Sequence, residues 1–122
     1  MVAMPLHEEK ENLNIQLKKG VLELCVLSLV SEGDRYGYDL VSRISQNISI
    51  AEGTIYPLLA RLTREGYFTT YLKESPEGPP RKYYAITRRG REARDALLRE
   101  WESLAAGVAQ IILNKSSKED RK

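Results

Sequence analysis

One cysteine, one histidine and one tryptophan in 122 residues remove whole classes of chemistry before any pattern is read. Cys25 has no partner for an internal disulfide. It sits in an apolar helical pattern, so it reads as a small core hydrophobe of a cytoplasmic protein. The sole imidazole, His7, lies near the N-terminus. That leaves no ligand set for zinc and no base-and-nucleophile relay, and no glycine-rich loop has the spacing that cradles a phosphate. The sequence is therefore read as that of a non-enzyme that needs no metal or cofactor. Long apolar runs are missing too: the longest, Val21 to Val30, is broken by Glu23 and Ser28 and is far short of the roughly 20 residues of a membrane span. Residues 1–11 are acidic, not basic and then apolar, so neither export nor membrane contact is expected.

What remains is ordinary in amount and uneven in placement. With 42% hydrophobic and 30% charged residues, the chain has the make-up of one globular domain. Its formal charge of +2 says little, but the charge is not spread evenly. Residues 1–50 carry 5 basic against 7 acidic side chains, residues 51–94 carry 9 against 5, and residues 95–122 carry 5 of each. The positive excess lies in the middle, as expected of a surface that meets phosphates.

The middle also holds the most informative stretch, Ser49 to Gly66. Ser49 followed by Glu52 has the spacing of a capping box, so a helix is expected to start at Ser49. Ile55, Leu58, Leu59 and Leu62 recur at three- and four-residue intervals on one face, leaving Thr54, Arg61 and Arg64 on the others. Gly66 is a natural stop. Pro57 would crowd the carbonyl of residue 53, but that residue is glycine, so a distorted first turn is expected and not an ended helix. The alternative is that Pro57 itself marks the start.

Upstream, residues 1–13 read as a flexible terminus. A first helix spans Ile15 to Ser31, with Gly33 as a left-handed stop. A second helix runs from Tyr36 to Gln46. Two helices joined by a short link, the second of them amphipathic, form a helix-turn-helix. After Gly66 the period shifts to two. Tyr67 to Lys73 and Lys82 to Thr87 read as strands around Glu74 to Arg81, whose three prolines and one glycine predict an irregular tip. The fold class expected is mainly α with a β-hairpin wing: a winged helix-turn-helix domain over 14–87, a dimerisation helix over 88–113 and a disordered tail over 114–122. In the long last helix, capped by Thr87, Leu97, Trp101, Leu104, Val108 and Ile111 keep the 4, 3, 4, 3 spacing of a helix seam. A second copy of the chain is the simplest partner for it.

Leu17-Lys18-Lys19-Gly20, Tyr36-Gly37-Tyr38, Gly53-Thr54-Ile55-Tyr56-Pro57-Leu58-Leu59, Arg61-Leu62, Gly66, Gly78 to Tyr84 and Thr87-x-x-Gly90 together resemble the PadR family of bacterial transcriptional repressors, in its short LmrR-like subgroup. The resemblance runs from about Leu17 to Gly90. It implies a homodimeric winged helix that binds a pseudo-palindromic operator on double-stranded DNA and is released by a small molecule. By motif, Gly53, Thr54 and Tyr56 would lie at the DNA-facing start of the recognition helix, Tyr38 near the backbone, and Arg81 and Lys82 at the wing. By charge alone, Arg61, Arg64 and Lys73 would meet phosphates. Trp101 matches a subgroup tryptophan that lines an intersubunit cavity, with Leu98, Ala105, Leu17, Gly20 and Leu24 as neighbouring wall. Ala105 stands where that subgroup has an acidic residue, so a neutral planar aromatic or phenolic effector fits as well as a cationic drug. Trp101 reads equally as plain dimer core. The competing function is a winged-helix module for protein interaction or dimerisation that reads no DNA sequence.

Overall fold

The computed structural model describes the backbone of residues 6–120 and the side chains of residues 18–114 other than Glu52. In chain order the elements are α1 (Leu6–Glu32), β1 (Arg35–Tyr36), α2 (Gly37–Ser45), α3 (Glu52–Arg64), β2 (Phe68–Ser75), β3 (Gly78–Ile86) and α4 (Arg88–Asp120). The core draws on three helices and two strands: Leu22, Val26, Leu27 and Val30 of α1, Leu40, Val41 and Ile44 of α2, Ile55, Leu59 and Leu62 of α3, Phe68 of β2 and Tyr84 of β3. Phe68 and Tyr84 meet edge to face, with centroids 6.0 Å apart. Burial of side chains of this size stabilises by roughly 1.5–3 kcal/mol each, enough to hold three helices and a small sheet around one centre.

The join between α3, the sheet and α4 is the most tightly specified part. Gly66 takes φ +86°, a left-handed conformation that costs other residues dearly. The amide of Gly66 then reaches the Thr63 carbonyl and that of Tyr67 reaches the Leu62 carbonyl, closing α3 in a Schellman turn. At the other side of the join the Thr87 hydroxyl accepts the Gly90 amide at 3.0 Å and donates back to the Gly66 carbonyl at 2.7 Å. Thr87 is thus the cap of α4, and it ties α4 to the end of α3. Gly90 is buried at the crossing: a Cβ there would come within 2.3 Å of the Tyr67 carbonyl oxygen and 2.7 Å of Ile86.

The sheet has strand order β1-β3-β2, all antiparallel. Strands β2 and β3 extend almost to the tip, with Ser75 paired to Gly78 and an irregularity between Lys73 and Ser75. The expected irregular loop at Glu74 to Arg81 is therefore mostly strand. Pro79 and Pro80 are tolerated because β1 pairs only with Tyr83 and Tyr84, leaving β3 one neighbour near the tip.

Other expectations shift as well. The Ser49 capping box does not form: the N-cap of α3 is Ala51, extended at φ −80° and ψ 139°, with no side-chain cap. Ile48 and Ile50 both pack on the core, and that period-two alternation holds Ser49 to Ala51 extended where a helix would turn Ile50 away. Pro57 sits inside α3. The Thr54 amide reaches back only to the Ala51 carbonyl, a tightened first turn ahead of the proline. Gly33 does not adopt a left-handed conformation; among the described residues Gly66 alone has positive φ. Helix α1 starts at Leu6 and not at Ile15, so residues 6–13, expected to be flexible, carry helical backbone; residues 1–5 lie outside the described residues. Helix α4 continues past Leu113 to Asp120, through most of the expected tail, while residues 121–122 lie outside the described residues. Two helices, a third with an exposed face, a hairpin and a long last helix make a winged helix-turn-helix.

Candidate nucleic-acid interface

Burial of Ile55, Leu59 and Leu62 at 0% exposure fixes the rotation of α3. Gly53, Thr54, Tyr56, Pro57 and Arg64 consequently lie on its exposed side. A Cβ at Gly53 would meet nothing within 4 Å, so the first turn is open to a ligand's close approach. Tyr38, at the start of α2, is 56% exposed and Tyr56 is 40% exposed. Gly37 lies between them, its Cβ position 3.5 Å from Tyr56 and 3.4 Å from Tyr84. Burial, and secondarily the nearby Tyr56, raises the Tyr84 phenol above its ordinary value.

Arg61 and Arg64 differ although both are basic and one turn apart. Arg61 donates to Glu23 of α1 and to Glu65, each at 3.0 Å. The Glu23 hydrogen bond is the leading reason its guanidinium is held above its ordinary value. Its charge is thus committed to joining α3 to α1. Arg64 is exposed and has no carboxylate partner among the described residues. A groove of about 740 Å³ opens between α1 and α3, lined by the apolar Leu22, Ile50, Pro57 and Leu58 and by the basic Lys18, Lys19, Arg61 and Arg64 among others. Lys18 donates to the Ser49 carbonyl. Neither lysine was singled out from the sequence as a site residue.

The wing sorts its cations by the pleat. Lys73 and Arg81 are cross-strand partners, as are Tyr71 and Tyr83 two residues further in, so all four share one face. Tyr36 of β1 pairs with Tyr83 and joins them. Arg81 lies 4.9 Å from the centroid of the Tyr36 ring and Lys73 lies 5.3 Å from that of Tyr83. Lys82 pairs with Leu72 on the opposite face. The Tyr71 hydroxyl donates to Asp34 at 2.7 Å, and that bond is the main reason its phenol is raised.

The first turn of α3 is thus exposed, and the wing of the same domain carries Lys73, Arg81 and Lys82 exposed as well. The model of the transcriptional regulator PadR-like family matches residues 26–96, which span the helix-turn-helix, the wing and the start of α4. This chain belongs to the PadR family of transcriptional regulators. An uncharacterised protein of Lysinibacillus sphaericus is 35% identical over 98 residues, covering 77% of this chain and 86% of that one. A PadR-like transcriptional regulator of Bacillus cereus superposes with a TM-score of 0.72 at 37% identity, covering 80% of this chain and 96% of its own. The Bacillus subtilis PadR in complex with operator DNA superposes at 0.59 and 30% identity over 64% of this chain, which spans 46% of that larger protein.

In this PadR-family chain the residues expected to line an intersubunit space fall along α1 and α4. Leu24 is buried, Leu98 and Ala105 are half-buried, Gly20 is exposed and Trp101 is 43% exposed; the side chain of Leu17 lies outside the described residues. Helix α4 leans on α1 through Arg94, whose Nε donates to the Ser28 hydroxyl at 3.3 Å. Leu97 packs against the core. Beyond it Leu104, Val108 and Ile111 are 63%, 46% and 72% exposed. Among the described residues no cluster of His, Cys, Asp and Glu could hold a metal ion, and no helix is long and apolar enough to cross a membrane.

Proposed function

We propose that the chain is a ligand-responsive repressor that binds a pseudo-palindromic operator as a homodimer in the cytoplasm. The observation that carries this reading is the open first turn of α3 lying in one domain with the exposed cations of the wing. Thr54 and Tyr56, with Gly53 giving the backbone room, enter the major groove; Tyr38 and Arg64 approach the phosphates beside it; Lys73, Arg81 and Lys82 hold the backbone or minor groove from the wing. The operator complex of the Bacillus subtilis relative supports the same mode here.

The dimer reading rests on α4. A 33-residue helix is about 50 Å long, and its second half carries Leu104, Val108, Ile111, Ile112 and Leu113 well exposed. An apolar stripe of that length calls for a partner, and a two-fold copy supplies the same stripe in return. Where two copies meet near Trp101, a planar aromatic molecule stacks between the subunits and shifts the spacing of the two recognition helices.

The deciding experiment is fluorescence anisotropy of duplex DNA from upstream of the chain's own gene, titrated over a potassium chloride series. Specific binding whose logarithm falls steeply with the logarithm of salt is expected. Equal, weak affinity for every duplex would favour a protein-interaction module instead. Quenching of Trp101 fluorescence by planar aromatics, with release of the DNA, tests the effector step; a regulator without an effector would show neither.

A further inference from the structure

Four tyrosines line up across the wing, the neighbouring strand β1 and the start of α2. Tyr71 stacks on Tyr83 with centroids 5.6 Å apart and planes 16° from parallel. Tyr83 stacks on Tyr36 at 6.0 Å and 30°, and Tyr36 meets Tyr38 at 6.3 Å. The row is anchored at one end by the Tyr71 hydroxyl on Asp34. The wing cations lie against the row: Lys73 at the Tyr83 ring and Arg81 at the Tyr36 ring. Core packing does not require this arrangement, because Phe68 and Tyr84 fill the opposite face of the same strands and are buried.

We infer that Tyr36 and Tyr83 are positioning residues for the wing's DNA contacts, and that Asp34, through Tyr71, fixes the row they belong to. The inference rests on the DNA-binding reading above and adds to it residues that touch no DNA themselves. A lysine or arginine on a hairpin tip samples many rotamers, and binding a phosphate must freeze one of them. A ring face attracts the cation and removes most of those rotamers before DNA arrives. It also weakens hydration on one side of the guanidinium and leaves its N–H edge free to donate. Stacking between β1, β3 and β2 stiffens the hairpin at its base, so Arg81 and Lys73 are carried as parts of one surface. Lys82, on the other face with Leu72, gains nothing from the row and is expected to contribute as a mobile charge only.

The test compares Tyr36→Phe, which keeps the ring face, with Tyr36→Leu, which removes it, each alone and combined with Arg81→Ala. Operator affinity should be unchanged in Tyr36→Phe and fall about three- to fivefold per subunit in Tyr36→Leu, the size of an exposed cation–π contact. In the Arg81→Ala background Tyr36→Leu should add almost nothing, and the salt dependence should become shallower with Arg81→Ala and not with Tyr36→Leu alone. If Arg81→Ala weakens binding while Tyr36→Leu does not, or if the two effects simply add, the positioning role is wrong and the DNA reading stands. If neither Arg81→Ala nor Thr54→Ala changes affinity, the DNA face itself is misassigned. Should Tyr36→Leu fail to fold, ¹⁵N relaxation of the Arg81 Nε–H group in the wild-type protein decides the matter. Restricted motion is expected, and an order parameter below about 0.6, that of a freely moving group, overturns the inference.

Discussion

Arg61 shows how little a charge reveals at the scale of one residue. It lies on the same helix as Arg64, yet its guanidinium is engaged by Glu23 of α1 and by Glu65, so it ties α3 to α1. Because the pair is partly exposed, its contribution is modest. Arg61→Ala is expected to lower stability by roughly 0.5–1 kcal/mol and to leave the salt dependence of DNA binding unchanged; Arg64→Ala should do the reverse. Urea unfolding together with anisotropy titration separates the two. Tyr84 carries a prediction of another kind. Its phenol is raised by burial, so the folded state holds the proton more tightly than the unfolded chain does. That contribution is fully present below the ordinary tyrosine value of about 10 and is lost as pH rises above it. Thermal unfolding from pH 8 to 11 should show a falling melting temperature, with a shallower fall in Tyr84→Phe. An equal slope in both proteins would move the cause elsewhere.

At the scale of elements, periodicity made four helices and a hairpin legible, while their ends followed from contacts that no local pattern contains. Ser49 and Glu52 have a capping spacing, yet Ile48 and Ile50 must both reach the core, and burial outweighs one cap. The prolines near the tip are turn-formers by composition, but a strand with a single neighbour has a free side for them. Strand β1 is two residues long, too short for any period, and exists because β3 offers it an edge. The tyrosine row was invisible for the same reason: Tyr36, Tyr71 and Tyr83 are far apart in sequence and share a face only once the register is set. The Thr87-x-x-Gly90 motif, in contrast, could be read as a cap, and the structure adds why its last residue is glycine. Gly90→Ala would drive a methyl group into the Tyr67 carbonyl. Despite alanine's better helix propensity, it should destabilise the protein by about 1–3 kcal/mol, measured by thermal or urea unfolding. A neutral or stabilising effect would show that the crossing of α4 over the sheet is looser than described.

At the scale of the whole molecule, the folded middle buries its apolar side chains and the second half of α4 does not. Leu97 of α4 still packs on the core, whereas Leu104, Val108 and Ile111 beyond it are open. A regulator that reads two half-sites needs such a seam to space its two recognition helices. Ile111→Glu, placed on the stripe and far from the core, should leave the fold intact by circular dichroism and shift sedimentation at micromolar concentration toward the 13.9 kDa single chain. Wild-type protein sedimenting as that single chain would remove the dimer. The central claim, that the first turn of α3 and the wing form one DNA-reading surface, is tested most directly by the salt dependence of binding to the gene's own upstream duplex. Wild-type protein should bind it specifically with a steep salt slope, and Arg81→Ala should reduce that slope by about 1 per subunit, since each arginine neutralises one phosphate. A wild-type protein that binds the upstream duplex no better than an unrelated one, with a slope that Arg81→Ala leaves unchanged, would contradict it.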